Sequence, residues 1–379
     1  MIKPVKTVIV GCGFISDAYL STMRKKFKIL DVVGCCDVDP AKAEARARQY
    51  GIKALTMAEI QADESIEIVV NLTTPTAHYP VIKQLLEMGK HVYTEKVLAV
   101  ELAHAAELVS LADAKGLYLG AAPDTFLGSA IQTTRQIVDS GLIGDVTSCY
   151  CALTRDSDLL TRVYPFTAKA GGGIGFDVGI YYITALLSLL GPVTEVGGVV
   201  RTAKPIRPHY AIEKFGETYA VDNENLMAGT LQFARGTVGN VLFDSTSISV
   251  IPEKPSLVLS GTLGVVSMAD PNLFGGDVRV VLKGNAEPFV MQPSHAYDQE
   301  CRGLGVAEMA WSLRQGRKNR ANKEMAYHAL EVLHGLVKSS ATKSNQPIRS
   351  TFDQMPPLPR GYVGFGHFDF IEEAGLAFE

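Results

Sequence analysis

The chain has 379 residues, of which 47% are hydrophobic and 20% are charged, and its formal net charge is -4. This length is typical of two domains, each large enough to bury a core of its own. The acidic balance argues against a nucleic-acid-binding protein, and the composition argues against a disordered or fibrous chain. The six cysteines form no Cys-x-x-Cys pair, and no apolar run approaches the roughly 20 residues of a membrane helix. We therefore expect a soluble cytoplasmic protein with reduced thiols that does not bind a membrane.

The first 124 residues alternate between short apolar strands and longer helical segments. Predicted strands cover residues 5–10, 30–36, 66–72, 91–93 and 117–120, and predicted helices cover residues 18–27, 40–50, 79–88 and 99–115. Strands that are separated by helices form βαβ units and a parallel sheet. We therefore expect residues 1–124 to form a Rossmann domain with a doubly wound parallel sheet.

The pattern changes at about residue 125. Predicted helices at 131–140 and 176–190 precede a β-rich section at 193–290, and further helices follow at 306–314 and 323–338. Consecutive strands without helical spacers are typical of an antiparallel sheet. The predicted fold class is thus α/β, with an α+β domain at 125–379 that contains a large, mostly antiparallel, open sheet. We expect this domain to bind substrate. Because one face of an open sheet needs to be covered, we also expect it to form a homo-oligomer.

The segment Gly-Cys-Gly-Phe-Ile-Ser at residues 11–16 follows the first predicted strand and opens a helix. In a dinucleotide-binding fold, Gly11 permits the tight turn, and Gly13 lets the backbone approach a pyrophosphate at the helix N-terminus. Ser16 is a small residue at the position of the third glycine. The residues predicted to contact a dinucleotide are Gly11, Gly13, Phe14 and Ile15.

Asp37 ends the second predicted strand, about 20 residues beyond the glycine loop, where a carboxylate can accept hydrogen bonds from ribose hydroxyls. This carboxylate would repel a 2′-phosphate, and no arginine follows it, so NAD is favoured over NADP. Asp37 could instead cap the next helix or form an Asp-x-Asp metal pair with Asp39. Asp39 is the better cap because it directly precedes Pro40, and the histidines lack metal-ligand spacing. We predict NAD as the cofactor and no metal.

Two further loops, at 71–78 and 92–97, follow predicted parallel strands, whose carboxyl ends bind ligands in open α/β sheets. In a later glycine-rich segment at 171–181, Asp177 and Tyr181 are four residues apart and share one face of a helix. The residues of the two loops that we expect at the cofactor are Thr73, Thr74, Pro75, His78, Glu95 and Lys96. His78 has an alternative role as a helix-start residue. Weaker candidates for the pocket wall are Asp124, Phe126 and Tyr164.

The glycine loop, the two later loops and the 171–181 segment together resemble the Gfo/Idh/MocA family, the group of glucose-fructose oxidoreductase and inositol dehydrogenase. The resemblance covers essentially the whole chain. It implies that Lys96 is the catalytic lysine of the family's Glu-Lys-Pro loop, and that Asp177 and Tyr181 contact substrate. Val97 stands where the family has proline, which removes a rigid turn. Tyr181 stands where inositol dehydrogenases have histidine, as in the glucose-fructose oxidoreductase and dimeric dihydrodiol dehydrogenase branches.

The expected chemistry requires a base. Hydride removal from a secondary alcohol leaves a carbonyl only if the hydroxyl proton also departs. Lys96 beside Tyr181 would meet this need, since an ammonium lowers the pKa of a phenol and burial lowers the pKa of a lysine. Either residue could take the proton. Structural alternatives remain: Lys96 as a solvated lysine, Tyr181 as a core aromatic, and Asp177 as a helix N-terminal charge.

The leading hypothesis is NAD-dependent transfer of a hydride between nicotinamide and a ring hydroxyl of a sugar or glycoside. The family resemblance suggests C3 of a glucoside, which would give a 3-oxo-glucoside. One alternative is an NAD-assisted glycosidase that oxidises a ring position transiently and eliminates the aglycone. Another is a non-catalytic NAD-binding regulatory protein, for which Val97 is the only hint.

Overall fold

A six-stranded parallel sheet organises the first third of the chain in the computed structural model, which describes residues 3–158, 165–210, 212–247 and 256–359. Its strands are β1 (Val5–Val10), β2 (Leu30–Cys36), β3 (Lys53–Ala54), β4 (Ile68–Asn71), β5 (His91–Thr94) and β6 (Leu119–Ala121). Their spatial order is β3-β2-β1-β4-β5-β6. This order is that of the doubly wound dinucleotide-binding fold, so the predicted Rossmann architecture is confirmed.

Helices connect these strands. They are α1 (Ile15–Lys26), α2 (Pro40–Tyr50), α3 (Met57–Ala62), α4 (Pro75–Glu87) and α5 (Leu102–Ala114). Asp39 caps α2, because its side chain accepts a hydrogen bond from the backbone N–H of Ala41. The sequence did not predict β3 or α3, which have two and six residues. Such short elements depend on local contacts, here the reciprocal capping of α3 by Thr56 and Glu59.

A nine-stranded sheet occupies the second part of the chain. The strands there are β7 (Val146–Thr154), β8 (Val193–Arg201), β9 (Ile206–Pro208), β10 (Thr218–Ala220), β11 (Leu226–Phe233), β12 (Val238–Asp244), β13 (Leu257–Gly261), β14 (Gly264–Met268), β15 (Val278–Leu282), β16 (Phe289–Val290) and β17 (Gln346–Pro347). The large sheet has the order β16-β15-β14-β13-β7-β12-β11-β8-β17, and β9 and β10 form a separate pair. All pairs in the large sheet are antiparallel except β7 with β12, which confirms the predicted fold class.

The sequence did not predict β7, although this strand lies in the middle of the large sheet. Its residues Thr147 and Ser148 are exposed, whereas Cys149 and Cys151 are buried. The strand therefore lacks the continuous apolar run that marked its neighbours. Its position matters because its carboxyl end leads directly to Arg155, which reaches the candidate active site.

Four helices complete the fold, namely α6 (Ser129–Asp139), α7 (Ile180–Leu190), α8 (Leu304–Gln315) and α9 (Lys323–Thr342). Every residue of α7 is buried. Helix α9 packs against β8 of the large sheet and against α5 of the first domain. Asn322, which caps α9, also forms a bridge with Gly120 of β6. The C-terminal helices thus hold the two sheets together, and α7 presents its first turn to the edge of the parallel sheet.

Candidate active site

A cavity of about 380 Å³ lies at the carboxyl edge of β4 and β5. Sequence-predicted residues in its wall are Gly13, Phe14, Ile15, Thr73, Thr74, Pro75, Glu95, Lys96, Asp177 and Tyr181. The structure therefore brings together the glycine loop, both later loops and the segment before α7. Residues in the wall that the sequence did not single out are Leu72, Arg155, Phe166, Val178, Asn272 and Arg302.

Lys96 and Asp177 form an ion pair across this cavity. Lys96 Nζ lies 2.5 Å from Asp177 Oδ1, and both side chains are largely buried, at 14% and 13% exposed. Asp177 belongs to a π-helical turn, Gly175–Gly179, that directly precedes α7. Burial lowers the pKa of Lys96, but Asp177 and Tyr181 raise it more, so its net pKa lies above the ordinary value. The predicted downward shift of this pKa is wrong, because the sequence did not show that Asp177 pairs with the ammonium.

Tyr181 is buried, and it lines the cavity together with Arg302, whose positive charge acts on its phenol. Lys96 Nζ lies 5.8 Å from the centre of the Tyr181 ring. Burial raises the pKa of Tyr181, and although Lys96 and Arg302 lower it, its net pKa stays above the ordinary value. The predicted lowering of this pKa by Lys96 is present, but burial outweighs it. The sequence contained the lysine but no measure of how deeply the phenol is buried.

Arg302 is a site residue that the sequence analysis missed. Its guanidinium forms an ion pair with Glu300 and donates a hydrogen bond to Asn272 Oδ1 at 3.3 Å. Its positive charge also acts on the phenol of Tyr181, whose pKa it lowers. Only the spatial approach of the turn before α8 could identify this arginine.

Asp124 holds the turn that carries Arg302. Its Oδ2 accepts hydrogen bonds from the backbone N–H groups of Gly303 and Gly305, each at 3.0 Å. Burial raises the pKa of Asp124 to about 6. Neither Asp124 nor Phe126 belongs to the cavity wall, and Tyr164 lies outside the described residues.

The glycine loop leaves space where a cofactor is expected. A Cβ added to Gly11, whose φ is +99°, would lie 2.7 Å from the carbonyl carbon of Leu72, so this turn requires glycine. A Cβ on Gly13 would meet no atom within 4 Å, so this position is open. The carboxylate of Asp37 accepts hydrogen bonds from the backbone N–H of Cys12 at 2.7 Å and of Asp39 at 2.9 Å. Asp37 thus lies beside the glycine loop, where the ribose was expected.

His78 does not reach the cavity wall. It is fully buried, with Nδ1 2.5 Å from the carbonyl oxygen of Val97 and Nε2 3.0 Å from that of Thr73. Burial lowers the pKa of His78. The side chain therefore joins the two loops that carry Thr73 and Lys96 and fits its alternative role as a structural residue. The Lys96–Val97 peptide bond is cis.

Comparison with known proteins assigns the chain to a family. Residues 5–122 match the family model described as "Oxidoreductase family, NAD-binding Rossmann fold", and residues 131–267 match "GFO/IDH/MocA C-terminal domain". The chain belongs to the GFO/IDH/MocA family. The resemblance inferred from its motifs is thus confirmed, and its first domain is an NAD-binding Rossmann domain of an oxidoreductase family.

Individual relatives are distant. An uncharacterized oxidoreductase from Schizosaccharomyces pombe is 26% identical over 209 residues, which are 54% of this chain and 57% of that protein. The chain thus matches little more than half the length of that relative. Trans-1,2-dihydrobenzene-1,2-diol dehydrogenase from Bos taurus is 25% identical over 314 residues, 81% of this chain and 86% of that enzyme. The solved structure of levoglucosan dehydrogenase with NADH and levoglucosan superposes with a TM-score of 0.78 at 18% sequence identity. The match covers 92% of this chain and 100% of the levoglucosan dehydrogenase chain. At this identity it shows a shared fold alone.

Within residues 3–158, 165–210, 212–247 and 256–359, no group of three or more histidine, cysteine, aspartate or glutamate side chains is arranged to hold a metal ion. None of the helices described there has the length and apolar character needed to cross a membrane.

Proposed function

We propose that the protein is an NAD-dependent dehydrogenase that transfers a hydride between nicotinamide and a ring hydroxyl of a sugar or glycoside. One observation carries this proposal: Lys96, Tyr181 and Asp177 line the same cavity as the glycine loop. In this proposal residues 1–124 bind NAD, and residues 125–379 bind the substrate and form a homo-oligomer. The convergence supports catalysis rather than a regulatory role, because a protein that only senses NAD needs no buried lysine and tyrosine beside the cofactor site.

The residues around the glycine loop fit NAD. The open position at Gly13 would let the backbone approach a pyrophosphate at the start of α1, and Asp37 would accept hydrogen bonds from the ribose hydroxyls. Phe14, Ile15 and Thr74 would line the same side of the cavity. When bound, NAD supplies the hydride acceptor for oxidation, and its reduced form supplies the hydride for reduction.

Tyr181 is proposed as the general acid and base. Tyr181 lines the cavity beside Lys96 and Arg302, where its hydroxyl can reach a substrate oxygen. During oxidation, the substrate carbon loses a hydride and its hydroxyl gives a proton to the ionised form of Tyr181, which is the minor form at neutral pH. During reduction, the Tyr181 hydroxyl returns that proton to the carbonyl oxygen. The cationic Lys96 and Arg302 stabilise the negative charge that develops at these oxygens.

Lys96 is proposed as a charged partner and not as the base. Its pKa lies above the ordinary value, so it carries a proton at neutral pH and cannot accept another. Asp177 fixes the ammonium at 2.5 Å and lines the cavity, where its second oxygen can accept a hydrogen bond from a substrate hydroxyl. The pair thus orients both the reacting oxygen and its neighbouring hydroxyl.

The substrate class rests on the relatives as well as on the site. Trans-1,2-dihydrobenzene-1,2-diol dehydrogenase matches 81% of this chain, which supports a place in the tyrosine-containing branch. Levoglucosan dehydrogenase, whose structure contains a sugar derivative, shares the fold. The donors and acceptors in the cavity wall suit a polyhydroxylated ring. Within this class we propose C3 of a glucosyl unit, with a 3-oxo-glucoside as the product.

The proposal is tested by incubating the purified protein with NAD and a panel of sugars and aryl glucosides. NADH absorbance and mass spectrometry of the sugar are followed together. Net NADH with an oxo sugar supports the dehydrogenase. Free aglycone without net NADH would indicate the glycosidase, and neither product would indicate a regulatory protein. Because a tightly held cofactor could escape detection, the panel is repeated with an acceptor sugar, and the nucleotide released on denaturation is identified.

A further inference from the structure

Arg155 forms part of two cavities at once. It directly follows β7, and its backbone N–H donates to the carbonyl of Asp244 at the end of β12. Its side chain lines the active-site cavity and also a second cavity of about 20 Å³, called the annex below. Asp177 lines both cavities as well. The annex has room for about one water-sized group, so it extends the active site by the volume of a single ligand oxygen.

Cations around the annex share carboxylates. Asp177 is shared by two cations, Lys96 at 2.5 Å and Arg155 at 3.7 Å. A second carboxylate, which is described next, is shared in the same way. Glu95 also acts on Lys96, and Asp244 on Arg207.

The second cluster is centred on Asp158. This carboxylate is almost fully buried and binds Lys204 at 2.5 Å and Arg207 at 3.0 Å. Arg207 lines the annex and is itself buried, with 5% of its side chain exposed. Glu224 is a further carboxyl group at the annex, and burial raises its pKa to about 7. At neutral pH it therefore contributes only part of a negative charge.

Three hydrogen-bond donors at the annex are buried without a partner. Among the described residues, Arg155 Nε, Ser157 Oγ and Arg207 Nε each lack a hydrogen-bond partner. All three side chains line the annex. Buried donors are nearly always satisfied in folded proteins, so unsatisfied ones that surround a cavity indicate a ligand atom that accepts from them.

We propose that the annex binds the carboxylate of an anionic sugar, so that the preferred substrate is a sugar acid such as a hexuronate or its glycoside. This inference rests on the proposed function, because it names the substrate class of the same site. A carboxylate suits these donors, because two of the three are guanidinium N–H groups, which bind a charged acceptor more strongly than a neutral one. One carboxylate oxygen would enter the annex, and the other would lie in the active-site cavity. A neutral hydroxyl would form weaker hydrogen bonds with the same donors.

The test compares matched acid and neutral sugars. Kinetics with NAD are measured for D-glucuronate against D-glucose and for D-galacturonate against D-galactose. The wild-type protein should show a higher kcat/KM for the acid of each pair. Arg155→Gln should lower the acid-to-neutral ratio of kcat/KM by about 10- to 100-fold, because a charge-assisted hydrogen bond is lost. Arg155→Lys should lower it less. Lys169→Gln, which removes an exposed cation paired with Asp222, should leave the ratio unchanged.

Several results would overturn this inference. If Arg155→Gln lowered kcat/KM equally for acid and neutral sugars, Arg155 would only position Asp177. A wild-type preference for neutral sugars would also reject it. Stimulation of neutral-sugar turnover by added acetate would mean that the annex takes a free anion and not the substrate carboxylate.

A binding measurement separates this inference from the proposed function. D-Glucuronate and D-galacturonate are titrated by calorimetry into the wild-type protein and Arg155→Gln in the presence of NADH. Binding that the substitution weakens, with no turnover of any sugar, would support the annex while rejecting the dehydrogenase. Turnover of neutral sugars without any binding of either acid would reject the annex and leave the dehydrogenase intact. No binding and no turnover would reject both.

Discussion

Lys96 Nζ lies 2.5 Å from Asp177 Oδ1, although 81 residues separate them in the chain. The contact joins the loop after β5 of the parallel sheet to the turn before α7. It keeps the lysine protonated, so it changes the expected role of Lys96 from possible base to fixed cation. In the proposed function, Tyr181 beside it is then the group that exchanges a proton with substrate.

Lys96→Met should abolish hydride transfer and leave NAD binding within a few-fold of wild type. The substitution removes the cation that stabilises developing oxyanion charge, so kcat should fall by about 100- to 1,000-fold. Stopped-flow NADH absorbance measures the rate, and fluorescence titration measures NADH binding. Lys83→Met, which removes an exposed cation paired with Glu107, is the control and should behave as wild type. Wild-type turnover by Lys96→Met would disprove the role.

The pH dependence should identify Tyr181 as the acid and base. Because the pKa of Tyr181 lies above its ordinary value, the phenol is protonated at neutral pH. For oxidation, kcat/KM should therefore rise with pH by about tenfold per unit, and for reduction it should fall at high pH. Tyr181→Phe should lower kcat by about 100- to 10,000-fold and remove this dependence. An unchanged profile in Tyr181→Phe would assign the proton to another group.

Gly11 and Gly13 should respond differently to alanine. Gly13→Ala places its Cβ in open space, so thermal stability should be retained while NAD affinity falls, because the methyl group occupies the expected pyrophosphate position. Gly11→Ala should destabilise the fold, because its Cβ would clash with the backbone of Leu72 at a positive φ. Thermal unfolding and NADH titration of both variants test this. Unaltered NADH affinity in Gly13→Ala would remove that residue from the cofactor site.

Asp37→Ala should weaken NAD binding and reduce discrimination against NADP. The carboxylate would no longer accept from the ribose or repel a 2′-phosphate. Because Asp37 also accepts the N–H of Cys12, Asp37→Asn is a useful companion that keeps one acceptor oxygen. It should retain loop geometry and still bind NADP better than wild type does. The ratio of the NAD and NADP dissociation constants is the measurement, and an unchanged ratio in both variants would exclude a ribose role.

Glu224→Gln should stabilise the protein at alkaline pH. The pKa of Glu224 is raised from 4.5 to about 7, so the folded state favours the protonated form. The contribution of Glu224 to the free energy of unfolding is fully present below its unfolded pKa of 4.5. It falls by up to about 3 kcal/mol as the pH rises through about 7. Glutamine keeps an acceptor for the N–H of Gly175, which Glu224 binds at 3.2 Å. Urea unfolding at about pH 5 and about pH 8 tests this. A stability difference that is independent of pH would contradict it.

Elements with strong local patterns could be predicted, and those without them could not. The continuous apolar run of β1 and the Asp-Pro start of α2 appear where the sequence placed them. Strand β7 was not predicted because polar residues interrupt its apolar pattern, although two of its cysteines are buried. His78 was predicted at the cofactor, yet it packs between two loops, because sequence position does not show which way a helix-start side chain turns.

The glycine loop, the acidic residue after β2 and the alternation of strands and helices in the first domain could be predicted from the sequence alone. These features depend on neighbours within a few residues, such as steric access at Gly11 or the alternation of apolar runs. The folded chain was needed to show that Arg302 lies at the same cavity as Tyr181, that Arg155 pairs with Asp177, and that Lys96 is protonated. Such facts depend on groups that are distant in the chain, because a pKa reflects every nearby charge and the depth of burial, and neither is written in local sequence.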